Sequence, residues 1–359
     1  MRRRTAPIDA LLALLRGARP GEAVNRKPMD WEAIVAQANR SLTTPALAAR
    51  LAAVDPALLP ADLVVFLQDV LARNERRNRL LLDQCEEVLT LLNAGGIVPT
   101  LHKGVALLLG CPPSMRSRLV SDLDLGVPPH DWLRALALLE AGGYAVHAKG
   151  ANRVNELTLD LVRADRAAMI DLHRVARGPD DLTRRLSADH PGRPVQLGAG
   201  QALLPSPTRL FVELVLHDQF HDGDFWRGHL DLRHLLDMVM LAKAEAEEPL
   251  DFAAVIAAFP GARNRTILTT QLITASRLLG LPLPDGLAPG WFARLQYRRR
   301  RLQLRHGWTG PALSLLTTAL HPRRTQPGDA AAPARPLRRL RARLGLSRAL
   351  FRRASLGKV

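Results

Sequence analysis

A chain of 359 residues with 47% hydrophobic side chains holds enough apolar mass for a sizeable core, which excludes global disorder. Its formal charge of +16 is local: residues 294–359 carry 17 Lys or Arg and a single acid, Asp329, whereas residues 1–293 are balanced. Two cysteines, Cys85 and Cys111, exclude a disulfide framework and a cysteine-based zinc site, so a reduced, cytoplasmic setting is expected.

The opening MRRRTAPIDALLALLRG has a basic start and a short apolar run. Asp9 interrupts that run and Arg16 ends it, so it reads as a short amphipathic helix rather than a signal peptide. No apolar run reaches the ~20 residues of a membrane-spanning helix. Residues 8–94 carry apolar side chains at helical spacing, and Gly95-Gly96 is a natural stop. IVPTLHKG then reads as a short strand ending in a glycine turn, VALLLG as a short helix, and Pro112-Pro113 as its end.

The run SDLDLGV is a strand with an unusual burden. Alternate side chains of a strand share a face, so Asp122 and Asp124 project together while Leu123, Leu125 and Val127 point the other way. Two carboxylates held side by side repel, and a cation between them removes the conflict. After the helix HDWLRALALLEAGGY come two more strand-like runs, VNELTLDLV and AAMIDLHRV, joined by the polar turn RADR. Asp171 in MIDLH supplies a third carboxylate, with Asp160 and Glu156 as alternatives. Three carboxylates on adjacent strands suit two Mg²⁺ ions about 4 Å apart, an arrangement that serves phosphoryl displacement.

Lys103 and Gly104 stand at a strand end and a helix start, where backbone N–H groups and an ammonium can meet a triphosphate. Arg118 adds a guanidinium four residues before Asp122. The elements 95–200 predict a small mixed sheet with helices on one face, and helices return from Pro205 to about residue 288. His217 and His221, four apart, share a helix face. Zinc could use that spacing, but no third ligand is evident in the sequence, so helix packing is the preferred reading. Asp231 and Asp237 read as capping or pairing groups within those helices. RRRRLQLR reads as a basic helix, and 322–359 as a Pro/Ala/Arg-rich segment that sets Leu337, Leu340, Leu344, Leu346, Leu350 and Phe351 among arginines.

The succession LHKG, RLVSDLDLGV, a helix ending AGGY, MIDLH and LVLH…LRHLLD resembles the nucleotidyltransferase superfamily. Within it, the chain is similar to the bacterial family of uncharacterised nucleotidyltransferases, over about residues 95–240. The departures are an inserted GCPPSMRS between Gly104 and Asp122, and Arg174 after Asp-Leu-His. The resemblance implies an α+β fold: a minimal nucleotidyltransferase mixed sheet flanked by N-terminal and C-terminal helical regions. The expected division is 1–94 helical, 95–200 catalytic core, 201–293 helical and 294–359 a basic tail.

It also implies Mg²⁺-dependent transfer of a nucleoside monophosphate from an NTP such as ATP to an acceptor hydroxyl. Asp122, Asp124 and Asp171 would be the metal-binding and catalytic residues. Lys103, Gly104, Arg118, Ser121 and His173 would line the nucleotide site. The alternative is a catalytically silent nucleotide-binding or scaffold protein. In either case the tail could dock on an anionic surface, such as the inner face of the membrane or a polyanion. Nucleic acid ranks behind, because Phe351 is the one aromatic after Trp308.

Overall fold

Five helices precede the first strand in the computed structural model, which describes residues 6–23, 29–111, 114–147, 158–174, 182, 192–244, 248–310, 312 and 313. They are α1 (Pro7–Leu15), α2 (Pro20–Ala23), α3 (Trp31–Arg40), α4 (Thr44–Leu51) and the 34-residue α5 (Ala61–Ala94). The breaks follow local chemistry. A proline stands at the first positions of α1 and α4, and the Asp30 carboxylate caps α3 by accepting from the Ala33 N–H. The opening apolar run is α1, with Ile8, Leu11, Leu12, Leu14 and Leu15 buried against the rest of the chain.

Seven strands form one mixed sheet in the order β3-β4-β5-β2-β1-β7-β6. They are β1 (Thr100–Leu101), β2 (Asp122–Gly126), β3 (Ala145–Val146), β4 (Thr158–Val162), β5 (Met169–His173), β6 (Arg193–Leu197) and β7 (Gly200–Leu204). The fold is α+β, as expected. The central pair β2–β5 is parallel and pairs Asp122 with Met169, Leu123 with Ile170, Asp124 with Asp171 and Leu125 with Leu172. β4 runs antiparallel to β5 and pairs Asp160 with Asp171. One face is therefore apolar, with Leu123, Leu125, Leu159, Leu161, Ile170 and Leu172 buried, while the other collects carboxylates.

The hairpin β6–β7 was not expected from the sequence, although VQLGAGQALL alternates around the two-residue turn Gly198-Ala199. Of the strand-like run VNELTLDLV, β4 covers the second half, and 154–157, with the alternative ligand Glu156, lie outside the described residues. Pro112-Pro113 and the leucine–arginine segment of 322–359 lie outside them as well.

Between the strands lie α6 (Lys103–Gly110), α7 (Ser114–Ser117) and α8 (Trp132–Ala141). After β7 come α9 (Pro207–Val215), a π-helical turn (Leu216–His221), α10 (Asp224–Arg227), α11 (Leu232–Lys243), α12 (Phe252–Ala257), α13 (Gly261–Leu279) and α14 (Trp291–Arg305). The basic run begins inside α14, which packs on α13 and buries Arg300 completely. No described helix is long and apolar enough to cross a membrane.

Helix α5 holds the strand ends through amide side chains as well as leucines. Asn78 Nδ2 donates to the carbonyls of Met115 and Arg118, both at 2.8 Å, and Asn74 Nδ2 donates to those of Arg116 and Arg118. Gln84 closes a two-way pair with the backbone of Ala168, just before β5. Asn74 still pairs with the Arg118 carbonyl when Asn78 is removed, so only the Met115 carbonyl loses its donor, at a cost of about 1–3 kcal/mol. Asn78→Ala is therefore expected to lower the unfolding free energy by that amount, read as a fall in the denaturant midpoint at unchanged m-value.

Candidate active site

Asp124 and Asp171 are brought together by the parallel register of β2 and β5, and both are buried. His173, two residues after Asp171 on the same strand, lies between them. Its Nε2 is 3.0 Å from Asp124 Oδ1 and 3.3 Å from Asp171 Oδ2. Lys103 reaches the same carboxylate from the start of α6, with Nζ 2.5 Å from Asp124 Oδ1. Asp122 sits one strand step away, less buried, and accepts a hydrogen bond from Ser121 Oγ at 3.1 Å.

These contacts set the ionisation. Burial alone would push the Asp124 carboxyl up, but the Lys103 ammonium and the His173 N–H outweigh it and hold Asp124 well below the usual carboxylate range. For Asp122, burial and then the Asp124 charge push the carboxyl up instead. Burial disfavours the His173 imidazolium, yet the bonds to Asp124 and Asp171 more than offset it and raise the group. Two neighbouring carboxylates are thus driven in opposite directions, a pattern typical of sites that divide roles between acids.

The backbone carries part of the arrangement. Lys103 has φ of +44°, in the left-handed region where a non-glycine residue costs about 1–3 kcal/mol. Gly104 lets α6 lie directly on the lead-in to β2, since a Cβ there would come 2.8 Å from Val120 Cγ1. At Gly126 a Cβ would come 2.3 Å from His102 Nε2, so this glycine makes the room in which His102 sits.

His102 is a participant that the sequence reading did not single out. Its ring meets that of His173 edge-on with centroids 5.8 Å apart, and its Nδ1 lies 2.9 Å from Glu213 Oε2 on α9. Arg209 Nε holds the other oxygen of Glu213 at 2.9 Å. Burial would raise Glu213, but His102 and Arg209 keep it below its ordinary value. Arg233 is a second such residue: it sits at the start of α11, clasped to Asp231, and feels the charge of Asp122. The one signal was position, since His102 adjoins Lys103 and Arg233 lies in LRHLLD.

Arg118 is placed differently from its sequence neighbours. Its Nε donates to both oxygens of Asp237 on α11, at 2.8 and 3.0 Å, and its Nη1 donates to the Leu119 carbonyl. Two faces of the guanidinium are thus taken by protein groups. Asp160 shares the sheet row of Asp171 on the neighbouring strand β4.

The paired carboxylates fit a hard divalent cation, which takes oxygen ligands. Asp124, Asp171 and His173 offer ligand atoms all within 4.8 Å of one another, and the Lys103 ammonium already occupies a cation's place against Asp124. The chain also matches the family described as "Uncharacterised nucleotidyltransferase" over residues 27–280, well over half its length. It belongs to this family. As a member of that nucleotidyltransferase family it carries a domain for nucleotidyl transfer, with a nucleotide as substrate. No curated protein matches it at a significant level.

Breaking a buried ion pair by removing one partner typically costs about 3–5 kcal/mol. Arg118→Gln and Asp237→Asn in this nucleotidyltransferase are each expected to lose roughly that much in chemical denaturation. The double variant should lose less than the sum, because the first substitution already strands the other charge.

Proposed function

We propose that the chain transfers a nucleoside monophosphate from an NTP to an acceptor hydroxyl, with residues 95–200 as the catalytic core between helical regions 1–94 and 201–293. The observation that carries this reading is the parallel β2–β5 register, which sets Asp124 beside Asp171 with His173 on both carboxylates and Lys103 on that of Asp124.

Asp122, Asp124 and Asp171 would hold divalent cations of the Mg²⁺ class, whose charge would act on the phosphate oxygens of the NTP. The rest is done by the chain. Lys103 brings an ammonium and Gly104 a backbone N–H to the start of α6, where the polyphosphate is received. His173, raised in pKa, holds Asp124 and Asp171 at a fixed spacing. Asp171 accepts the proton of the acceptor hydroxyl as its oxygen bonds to the α-phosphorus. The bond from that phosphorus to the bridging oxygen breaks, and pyrophosphate leaves with the electron pair. Ser121 positions Asp122 through the hydrogen bond between them. Arg118 acts from behind, by fixing α11 against the lead-in to β2.

Incubating the protein with each labelled NTP, Mg²⁺ and a cell lysate identifies the nucleotide and the labelled acceptor together. Asp122→Asn and Asp124→Asn are expected to abolish the Mg²⁺·NTP-dependent rise in melting temperature. Asp171→Asn should lower turnover roughly 10²–10⁴-fold while changing nucleotide affinity much less. Equal loss of turnover and affinity in Asp171→Asn would make it an ordinary ligand and sink the base assignment. A wild type without any NTP-dependent shift would sink the whole reading.

We read the arginine-rich end as a docking element outside the chemistry. A chain ending at residue 321 should bind NTP as the full chain does and lose salt-sensitive binding to anionic vesicles. A preference of the full chain for RNA over such vesicles at matched salt would overturn this.

A further inference from the structure

Among the described residues, a second convergence of ligating side chains lies on the C-terminal helices. At the end of α9 the backbone widens into the π-helical turn Leu216–His221. Such turns are rare and recur at functional sites, because the extra residue changes where neighbouring side chains point. Here it turns His217 and Asp218 toward His234 on α11.

His234 Nδ1 lies 2.6 Å from Asp218 Oδ1, and His217 Nδ1 lies 3.4 Å from the same oxygen. The two rings meet edge-on with centroids 5.4 Å apart. All three donor atoms fall within 4.8 Å of one another. His217 has side-chain exposure of 15% and Asp218 of 2%, so the group is enclosed yet reachable from the His217 side. On that side Asp222 Oδ2 comes within 3.7 Å of His217 Nδ1.

We propose that His217, Asp218 and His234 form a second metal site, for a divalent transition-metal ion of the zinc class, which ties the π turn to α11. Two imidazoles and one carboxylate are a donor set suited to zinc or its neighbours, and Asp222 or water supplies the remaining position. Tetrahedral donors each about 2.1 Å from a zinc ion lie roughly 3.4 Å apart. The His217–Asp218 separation of 3.4 Å already meets this, and the His234–Asp218 contact of 2.6 Å needs to open slightly.

The surroundings are those of a supported ligand. Gln271 Nε2 donates to the other oxygen of Asp218 at 3.3 Å, and Arg300 Nη1 donates to Gln271 Oε1 at 3.0 Å. Such outer contacts orient a ligating carboxylate. Burial disfavours the His234 imidazolium, yet the Asp218 charge outweighs it and lifts the group to about 9.

The site is independent of the transfer reading and is tested on the full chain with metal alone. After chelator treatment, the protein is titrated with Co²⁺ and its visible d–d absorption recorded, then Zn²⁺ is added to displace the colour. The wild type and Asp124→Asn are expected to show the band with one ion bound tightly at this cluster. His217→Gln and His234→Gln should each weaken that binding by at least 10²-fold while far-UV circular dichroism stays native. His217 is the decisive position if His234→Gln fails to fold, because it is the most accessible of the three. Absence of the band in the wild type, or a band kept by His217→Gln and lost in Asp124→Asn, would overturn the proposal.

Discussion

Everything around the sheet centre answers one constraint: two carboxylates on neighbouring strands face each other in a buried row. The parallel register of β2 and β5 puts Asp124 directly beside Asp171, and burial magnifies their repulsion. Such a pair persists when positive charge is built around it. Lys103 and His173 supply that charge, and the strained backbone at Lys103 is the conformational cost of aiming an ammonium from a helix start. A site that already stabilises a cation at Asp124 is prepared for a divalent one.

The same logic extends outward through the C-terminal helices. His102, wedged over Gly126, passes its second nitrogen to Glu213, which Arg209 compensates in turn. Arg118 is matched by Asp237, and both are largely withdrawn from water. The His102–Glu213 and Arg118–Asp237 pairs each join segments more than 100 residues apart, so the carboxylate-bearing strands and the helices after β7 are positioned together. Buried pairs add little net stability, but a missing partner is expensive, and this enforces a single arrangement.

Helix α5 solves a different problem, that of ending strands inside a core. The loop before β2 must leave carbonyls unpaired by the sheet, and Asn74 and Asn78 satisfy them from the helix side. Gln84 does the same before β5. The strand that carries Asp122 and Asp124 and the strand that carries Asp171 and His173 are thereby referenced to one rigid rod. Their relative height, on which the Asp124–Asp171 pairing depends, follows from it.

What the sequence determined by itself was whatever depends on local periodicity. The alternation in SDLDLGV decides that Asp122 and Asp124 share a face, since side chains of a strand repeat every two residues wherever the strand lies. The same holds for Asp171 and His173 in MIDLH and for the helical spacing in 8–94, whereas the expected glycine turn after His102 is made by Lys103 in the left-handed region, with Gly104 already inside α6. Which strands are neighbours was left to the tertiary structure. So was the partner of Arg118, which an equally good local reading assigns to phosphate and the fold assigns to Asp237, 119 residues away. His217 and His221 show the limit most plainly. Their spacing describes an α-helical face, but the backbone there is a π turn, and the side chain that completes the group with Asp218 is His234 on the next long helix. Contacts between distant segments depend on how apolar faces pack and which buried charges must be matched, and no window of neighbouring residues contains that information.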